Sequence, residues 1–358
     1  MVKVGSSLLI AADGGARAAW LAGLADDIAA LRKAGTEVIV VSSGAVALGR
    51  RHLGLKPSTR LDHKQAAAAA GQTLLMQAWE TAFAPHAIPT AQLLLTFEDT
   101  ERRRRWLNAR ATIEVLLGQG AIPVINENDS VATDELRYGD NDRLSARVAQ
   151  MLKADLLVLL SDVDGLHTAD PVRDPAAAHV ATVDDIDAVE AMAGDTRGVG
   201  SGGMRSKLAA ARIAGGAGCA TLIASGRKAH PLAALQAGAR ATLVTAKGSP
   251  ASAYKQWIAG TLQPAGSLNV DAGAAKALAG GKSLLPAGVT AVQGEFERGV
   301  CLSVRGPDGA ELARGISAYN SDEARAIAGQ PSTRFEALLG YSGPDALIHR
   351  DDLVMLAR

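Results

Sequence analysis

The stretch VIVVSSGAVALGRR, residues 38–51, runs from four β-branched residues through Ser42, Ser43 and Gly44 into helix-forming sequence. Apolar residues in succession, without polar alternation, describe a strand covered on both faces, as in a parallel sheet between helix layers. The same texture recurs, so strands are expected at Glu37–Val41, Ala121–Ile125, Asp155–Leu160 and Ala220–Ala224. Between them, Arg17–Lys33, Leu61–Phe83, Trp106–Leu117 and Lys207–Ile213 have the character of crossover helices. The expected fold class is α/β, an open and mainly parallel sheet between helices.

That pattern stops near Thr245. A polar stretch with Gly and Pro, AKGSPASAYKQWIAGTLQPAG, leads into short strand candidates separated by glycine turns: SLLPAGV, TAVQGEF and VCLSVRGPDGAELARGIS. At 358 residues the chain is long enough for two domains. The expected division is 1–248 for the α/β domain, 249–265 for a linker and 266–358 for a small β-rich domain.

Composition narrows the function classes. Basic and acidic residues balance at 37 each, which argues against a surface that is electrostatically committed to nucleic acid or anionic membrane. Cys219 and Cys301 stand far apart with no CxxC or Cys/His cluster, so they are expected to be buried apolar residues rather than a disulfide or a zinc site. No apolar run approaches the length of a membrane helix, and MVKVG opens directly as strand; a cytoplasmic location is the expectation.

Five stretches carry candidate chemistry. Lys3, in MVKVGSSLL, is either an edge-strand lysine or a cation delivered to the carboxyl edge of the sheet, followed by Gly5 and Ser6 with backbone N–H groups. Ser43 and Gly44 are either a helix cap or a turn whose free N–H groups face an anion. The loop ENDSVATDELRYGDND gathers Glu127, Asp129, Asp134, Glu135, Asp140 and Asp142 behind a buried strand. It is a solvated acidic loop or a carboxylate cluster for an ammonium group, for lysines, or for Mg²⁺ through water.

Ser161 and Asp162 end the apolar run LLVLLSDVDGL, where a strand-ending turn and a nucleotide contact are both open readings. GVGSGGMRSK, residues 198–207, formally contains GxGxxG, yet it follows the helix-like DDIDAVEAMAGD rather than a strand, so a dinucleotide fold is rejected. A phosphate-binding turn with Lys207 reaching the transferred group fits better. A Walker A loop is absent, and GGKS at 280–283 lacks its first glycine.

Together, VKVGSSLL, VVSSGAVALGRRHLG, KQAAAAAGQ, QLLLTFED, WLNAR, PVINENDSVAT, GDND, LLSDVDGL and GSGGMRSK resemble the amino-acid kinase family over nearly the whole first domain. The NEND and GDND pair and the additional C-terminal domain point to the branch acting on free glutamate. Residues 266–329 are similar to a PUA domain, a β module of RNA-modifying enzymes.

The resemblance implies catalytic roles for Lys3, Lys207 and Asp142, the lysines flanking the transferring phosphoryl group and Asp142 holding them. It implies L-glutamate binding by Ser43, Gly44, Asp129, Asp140 and Asn141. ATP binding would fall to Lys3, Ser161, Asp162, Ser201, Gly202, Gly203, Met204, Arg205, Ser206 and Lys207. Mg²⁺ would arrive with ATP, and no dedicated protein metal site is assigned. Ser161 and Ser201 stand where the family often has threonine, which keeps the hydroxyl. Further expectations by resemblance are the product L-glutamyl 5-phosphate, proline inhibition, a homo-oligomer (dimer or tetramer), and an RNA or regulatory contact through the PUA-like domain. The rival readings are an RNA-binding regulator with a degenerate kinase domain and a kinase for aspartate or an N-acylated amino acid.

Overall fold

The computed structural model describes residues 1–58, 60–131, 141–193, 203–260 and 263–356. The chain divides into Met1–Pro250 and Ala251–Arg358. In the first unit, β1 (Val2–Val4) is followed by α1 (Ser6–Leu9), α2 (Ala18–Lys33), β2 (Val40–Ser42), α3 (Ala45–His52) and α4 (Leu61–Phe83). Next come β3 (Thr90–Leu95), α5 (Phe97–Glu101), α6 (Arg103–Gly118), β4 (Ile122–Glu127), α7 (Asn141–Leu152) and β5 (Leu156–Ser161). The unit continues with the small pair β6 (Leu166–His167) and β7 (His179–Val180), then β8 (Thr182–Val183), α8 (Ile186–Val189), α9 (Met204–Gly216), β9 (Ala220–Ser225), α10 (Pro231–Gln236) and β10 (Ala241–Val244).

The main sheet has the order β3-β4-β2-β1-β5-β9-β10-β8. Every neighbouring pair from β3 to β9 is parallel, whereas β10 runs antiparallel to β9. Six strands therefore end at one edge. The chain builds outward from β1 in one direction through β2 and in the other through β5, and this reversal of strand order opens a crevice at the carboxyl edge.

Strand β5 shows why the apolar runs are unbroken. Val158 and Leu160 pack into one core with Val4, Leu24, Ile28, Trp79 and Ile122. Leu157 and Leu159 face the other way, into a second core with Ala146, Leu208 and Ile223. Both faces are dry, and each fully buried aliphatic side chain contributes roughly 1.5–3 kcal/mol. Cys219 lies buried in the second core.

In the second unit, α11 (Pro250–Gly260) fills most of the stretch expected to be a linker. It precedes β11 (Gly266–Val270), α12 (Ala272–Ala279), β12 (Val289–Gln293), β13 (Cys301–Arg305), β14 (Glu311–Ile316), α13 (Ser321–Ile327), α14 (Phe335–Leu339) and β15 (Leu353–Met355). The five strands form one sheet, β12-β11-β13-β14-β15, over a core that includes Leu268, Leu302, Val304, Tyr319 and Ile348. SLLPAGV is not a strand: Leu284 makes an isolated bridge to Ile348, and Pro286 opens a 3₁₀ turn. Proline has no N–H to give to a ladder.

Candidate active site

Lys3 lies in β1, buried between β2 and β5. Its Nζ is 2.6 Å from Asp142 Oδ1. Asp142 sits in the first turn of α7, where a negative charge suits the positive helix end. Its second oxygen, Oδ2, is 3.2 Å from Lys207 Nζ and accepts a hydrogen bond from Ser206 Oγ at 2.7 Å. Lys207 comes from the first turns of α9, so one carboxylate ties β1, α7 and α9 together at the crevice.

All three charged groups are nearly dry, with Asp142 1% exposed, Lys207 3% and Lys3 6%. Burial alone would raise the Asp142 pKa, but the two ammonium groups outweigh it and hold the carboxyl well below its ordinary range. Burial lowers the Lys207 pKa, and Asp142 opposes that shift. With both lysines protonated the cluster carries one net positive charge in a low-dielectric setting, where an arriving anion is strongly favoured.

A second group lies on the β2 and β4 side. Gly44 adopts φ 105°, a left-handed conformation that only glycine takes without strain, and it has no side chain to cap the α3 N–H groups behind it. Asn141 Nδ2 donates to Ser43 Oγ at 2.9 Å, to Asn126 Oδ1 at 3.0 Å and to the Ser42 carbonyl at 3.3 Å. Asn141 Oδ1 is buried and has no hydrogen-bond partner among the described residues. A buried acceptor in that state costs stability unless a donor arrives. Asp129 is also buried, and desolvation raises its pKa to about 6.

The nucleotide candidates divide. Ser161, at the end of β5, donates to Asp162 Oδ1 at 3.2 Å. Gly203 precedes α9 in extended conformation and has no side chain with which to cap the first N–H groups of that helix. The Ser206 hydroxyl is engaged with Asp142, Arg205 Nε donates to the Ala193 carbonyl at 3.0 Å, and Met204 packs against the second core. Asp140, Ser201 and Gly202 lie outside the described residues, as do Asp134 and Glu135 of the acidic loop. Among the described residues, no group of three or more His, Cys, Asp or Glu side chains could hold a metal ion.

Sequence reasoning passed over Asn126, whose Oδ1 accepts from Glu127 N–H and from Asn141. It also passed over Trp79, whose Nε1 donates to Ser42 Oγ at 3.0 Å and so braces the turn before α3. The signal for Asn126 was present, a polar residue closing an apolar strand before an acidic loop. Nothing local marks Trp79, which reaches the site from the C-terminal part of α4.

The family model described as amino acid kinase family matches residues 1–225, and that of the PUA domain matches residues 266–339. The chain is 59% identical over 360 residues to the glutamate 5-kinase of Caulobacter vibrioides (strain NA1000 / CB15N), covering 99% of this chain and 95% of that protein. It is 57% identical to the glutamate 5-kinase of Paramagnetospirillum magneticum, over 99% of this chain and 97% of that one. Glutamate 5-kinase 1 of Rhizobium meliloti is 56% identical, over 100% and 92%. No helix among the described residues is long and apolar enough to cross a membrane. The chain belongs to the amino acid kinase family, in its glutamate 5-kinase group.

Proposed function

We propose that this protein transfers the γ-phosphoryl group of MgATP to the side-chain carboxylate of free L-glutamate, forming L-glutamyl 5-phosphate and ADP, the first step of proline biosynthesis. The observation that carries the reading is the pair of buried lysines on one carboxylate beside a buried acceptor, Asn141 Oδ1, that is unpaired among the described residues.

The chemistry asks little covalent work of the protein. A glutamate carboxylate oxygen attacks the γ-phosphorus, the bond from that phosphorus to the bridging oxygen breaks, and ADP leaves with the electron pair. The nucleophile is already ionised, so no general base is needed. The barrier lies in bringing anions together and in the charge that spreads over the phosphoryl oxygens. Lys3 and Lys207 meet that charge from two sides, and Asp142 fixes their positions before substrate arrives. The positive end of α9, with Ser161 and Asp162, holds the nucleotide, while Mg²⁺ travels on its phosphates.

At the other end of the substrate, Asp129 and Asn141 Oδ1 receive the α-ammonium group, and the turn at Ser43 and Gly44 offers N–H groups to a carboxylate. Proline also carries an ammonium and a carboxylate on one α-carbon, so it competes for the same groups and inhibits.

The test is ADP release with MgATP and L-glutamate, beside L-aspartate and N-acetylglutamate, with and without proline, and with Lys207→Ala. The expected result is turnover with glutamate alone, suppressed by proline and lost in the variant. Turnover with N-acetylglutamate would overturn the assignment of the ammonium site, and no turnover with any acceptor would overturn the reaction.

A further inference from the structure

The loop after β9 is fastened far more closely than a surface connector requires. Ser225 is paired with Ser161 in the parallel β5–β9 register, and Gly226 N–H donates to the Ser161 carbonyl at 2.7 Å. From there the chain crosses one face of α2 and is held at three successive points. Trp20 Nε1 donates to the Gly226 carbonyl at 2.7 Å. Gly23 lets the backbone come so close that a Cβ there would lie 2.2 Å from the Ala229 carbonyl oxygen. Asp27, buried, accepts from Leu232 N–H at 2.8 Å and Ala233 N–H at 3.1 Å and pairs with His230 Nδ1 at 3.1 Å. Positions 20, 23 and 27 share one helix face. Gly226 is pressed from the other side, since a Cβ there would meet Leu8 Cδ1 at 2.3 Å.

Between these fastenings stand Arg227 and Lys228. Both are exposed, and neither forms an ion pair among the described residues. Two cations on a rigid loop at the carboxyl edge are placed for a fixed anion, because a loop ordered in advance loses little entropy when it binds.

Which anion follows from the sheet. Strands lie roughly 4.8 Å apart, so β9 is about 10 Å along the edge from β1, with β5 between them. A triphosphate whose γ-phosphoryl group rests at Lys3 and Lys207, and which runs over Ser161, brings its α-phosphate toward the β9 loop. We propose that Arg227 and Lys228 hold the α-phosphate of the nucleotide, Arg227 by paired N–H donors and Lys228 by charge. This inference rests on the kinase reading above, and it adds two nucleotide-binding residues that none of the five motif stretches contains.

The experiment uses the full chain, with AMP and adenosine as competitors of ATP in the glutamate-dependent assay. In the unaltered protein AMP should compete more tightly than adenosine. The double variant Arg227→Ala/Lys228→Ala should raise the KM for ATP and the Ki for AMP about tenfold. It should leave the Ki for adenosine, the KM for glutamate and kcat within about twofold, so that the advantage of AMP over adenosine disappears. Arg227→Lys should recover part of that advantage, and the melting temperature should not move. An unchanged ratio of AMP to adenosine affinity in the double variant would overturn the proposal, and so would an equal loss for both ligands, which would mark the loop as mere support. Failure of the kinase reading is a separate result: the unaltered protein would then show no glutamate-dependent turnover at all.

Discussion

Lys3 Nζ and Lys207 Nζ are held by opposite oxygens of one carboxylate, at 2.6 Å from Asp142 Oδ1 and 3.2 Å from Asp142 Oδ2. The two lysines belong to segments 204 residues apart, one in the first strand and one in the helix that precedes β9. Their common anchor turns two flexible cations into a fixed pair, the receptor proposed for the phosphoryl group. Geometry of this kind is needed before substrate binds, because charge stabilisation is most effective when nothing must reorganise during the reaction.

Asp142→Asn keeps the shape of that anchor and removes its charge. It is expected to lower kcat about 10²- to 10³-fold while the KM for ATP does not rise, since the lysine charges remain and only their placement is lost. Leaving two buried ammonium groups without a counter-charge should also cost about 3 kcal/mol of stability. The wild-type carboxyl has a depressed pKa, so its stabilising contribution is complete above the ordinary value of 3.8 and is lost as pH falls further. Urea unfolding of both proteins should therefore diverge at pH 7 and converge in acid. Equal stability at pH 7 would contradict the buried pairing.

Asp129 shifts in the other direction. Desolvation raises its pKa to about 6, so the free protein loses the ionised form as pH drops through that value. If this carboxylate receives the substrate ammonium, kcat/KM for glutamate should fall below about pH 6, while the KM for ATP should stay level. A raised folded-state pKa means that the stability contribution of this group is complete below 3.8 and lost as pH rises through about 6. Asp129→Asn should consequently be more stable than the wild type at pH 7, by about 1–3 kcal/mol, although it binds glutamate poorly. A variant less stable at pH 7 and unchanged at acid pH would refute the sign.

How much of this was legible in the sequence depended on whether a residue acts through its neighbours in the chain or across the fold. The unbroken apolar runs announced β2, β4, β5 and β9 because both faces of each are covered, as the opposed packing of Leu159 and Leu160 illustrates. β3 was not singled out as a strand: it lies at the sheet edge, and its residues Thr90–Leu94 are only partly covered or exposed. Lys3, Lys207 and Asp142 stood out singly, as two candidate cations and one carboxylate of an acidic loop, but their joint role came only from resemblance to a family, since a lysine in a strand or an aspartate in a helix has many uses. Their meeting is a product of the successive crossovers of the parallel sheet, which no local pattern encodes. The same holds for Trp79 on Ser42 and for the clamp of α2 on the β9 loop, where the informative distance spans more than 200 residues.

Tyr319 offers a test confined to the second unit. Its side chain is fully buried, its hydroxyl donates to the Pro344 carbonyl, and its ring meets Phe335 edge to face at 6.2 Å. Tyr319→Phe keeps the ring contact and removes only the donor, so stability should fall by about 1–2 kcal/mol, the cost of a buried carbonyl left unmet. Urea unfolding should register that loss while the KM values for glutamate and ATP remain unchanged. A change in KM without a change in stability would place Tyr319 in the catalytic machinery instead.

One very close helix contact in the first unit bears on the proposed glutamate end of the site. Helices α3 and α4 cross at Gly49 and Gly71, where an added Cβ would lie 1.8 Å from the Ala67 carbonyl oxygen and 1.8 Å from the Ala45 carbonyl oxygen respectively. Backbone stands in the way at both positions, so the helices can accept a methyl group only by moving apart. Ala45 opens α3 directly after Ser43 and Gly44, and a displaced helix carries that turn away from Asn141. Gly49→Ala should therefore destabilise the protein by about 1–3 kcal/mol through overpacking. Because Lys3, Asp142 and Lys207 are held on β1, α7 and α9 rather than on α3 or α4, the kinetic loss should fall on the KM for glutamate, several-fold, with the KM for ATP little changed. Parallel rises in both KM values would mean that the crossing supports the whole crevice rather than the turn at Ser43.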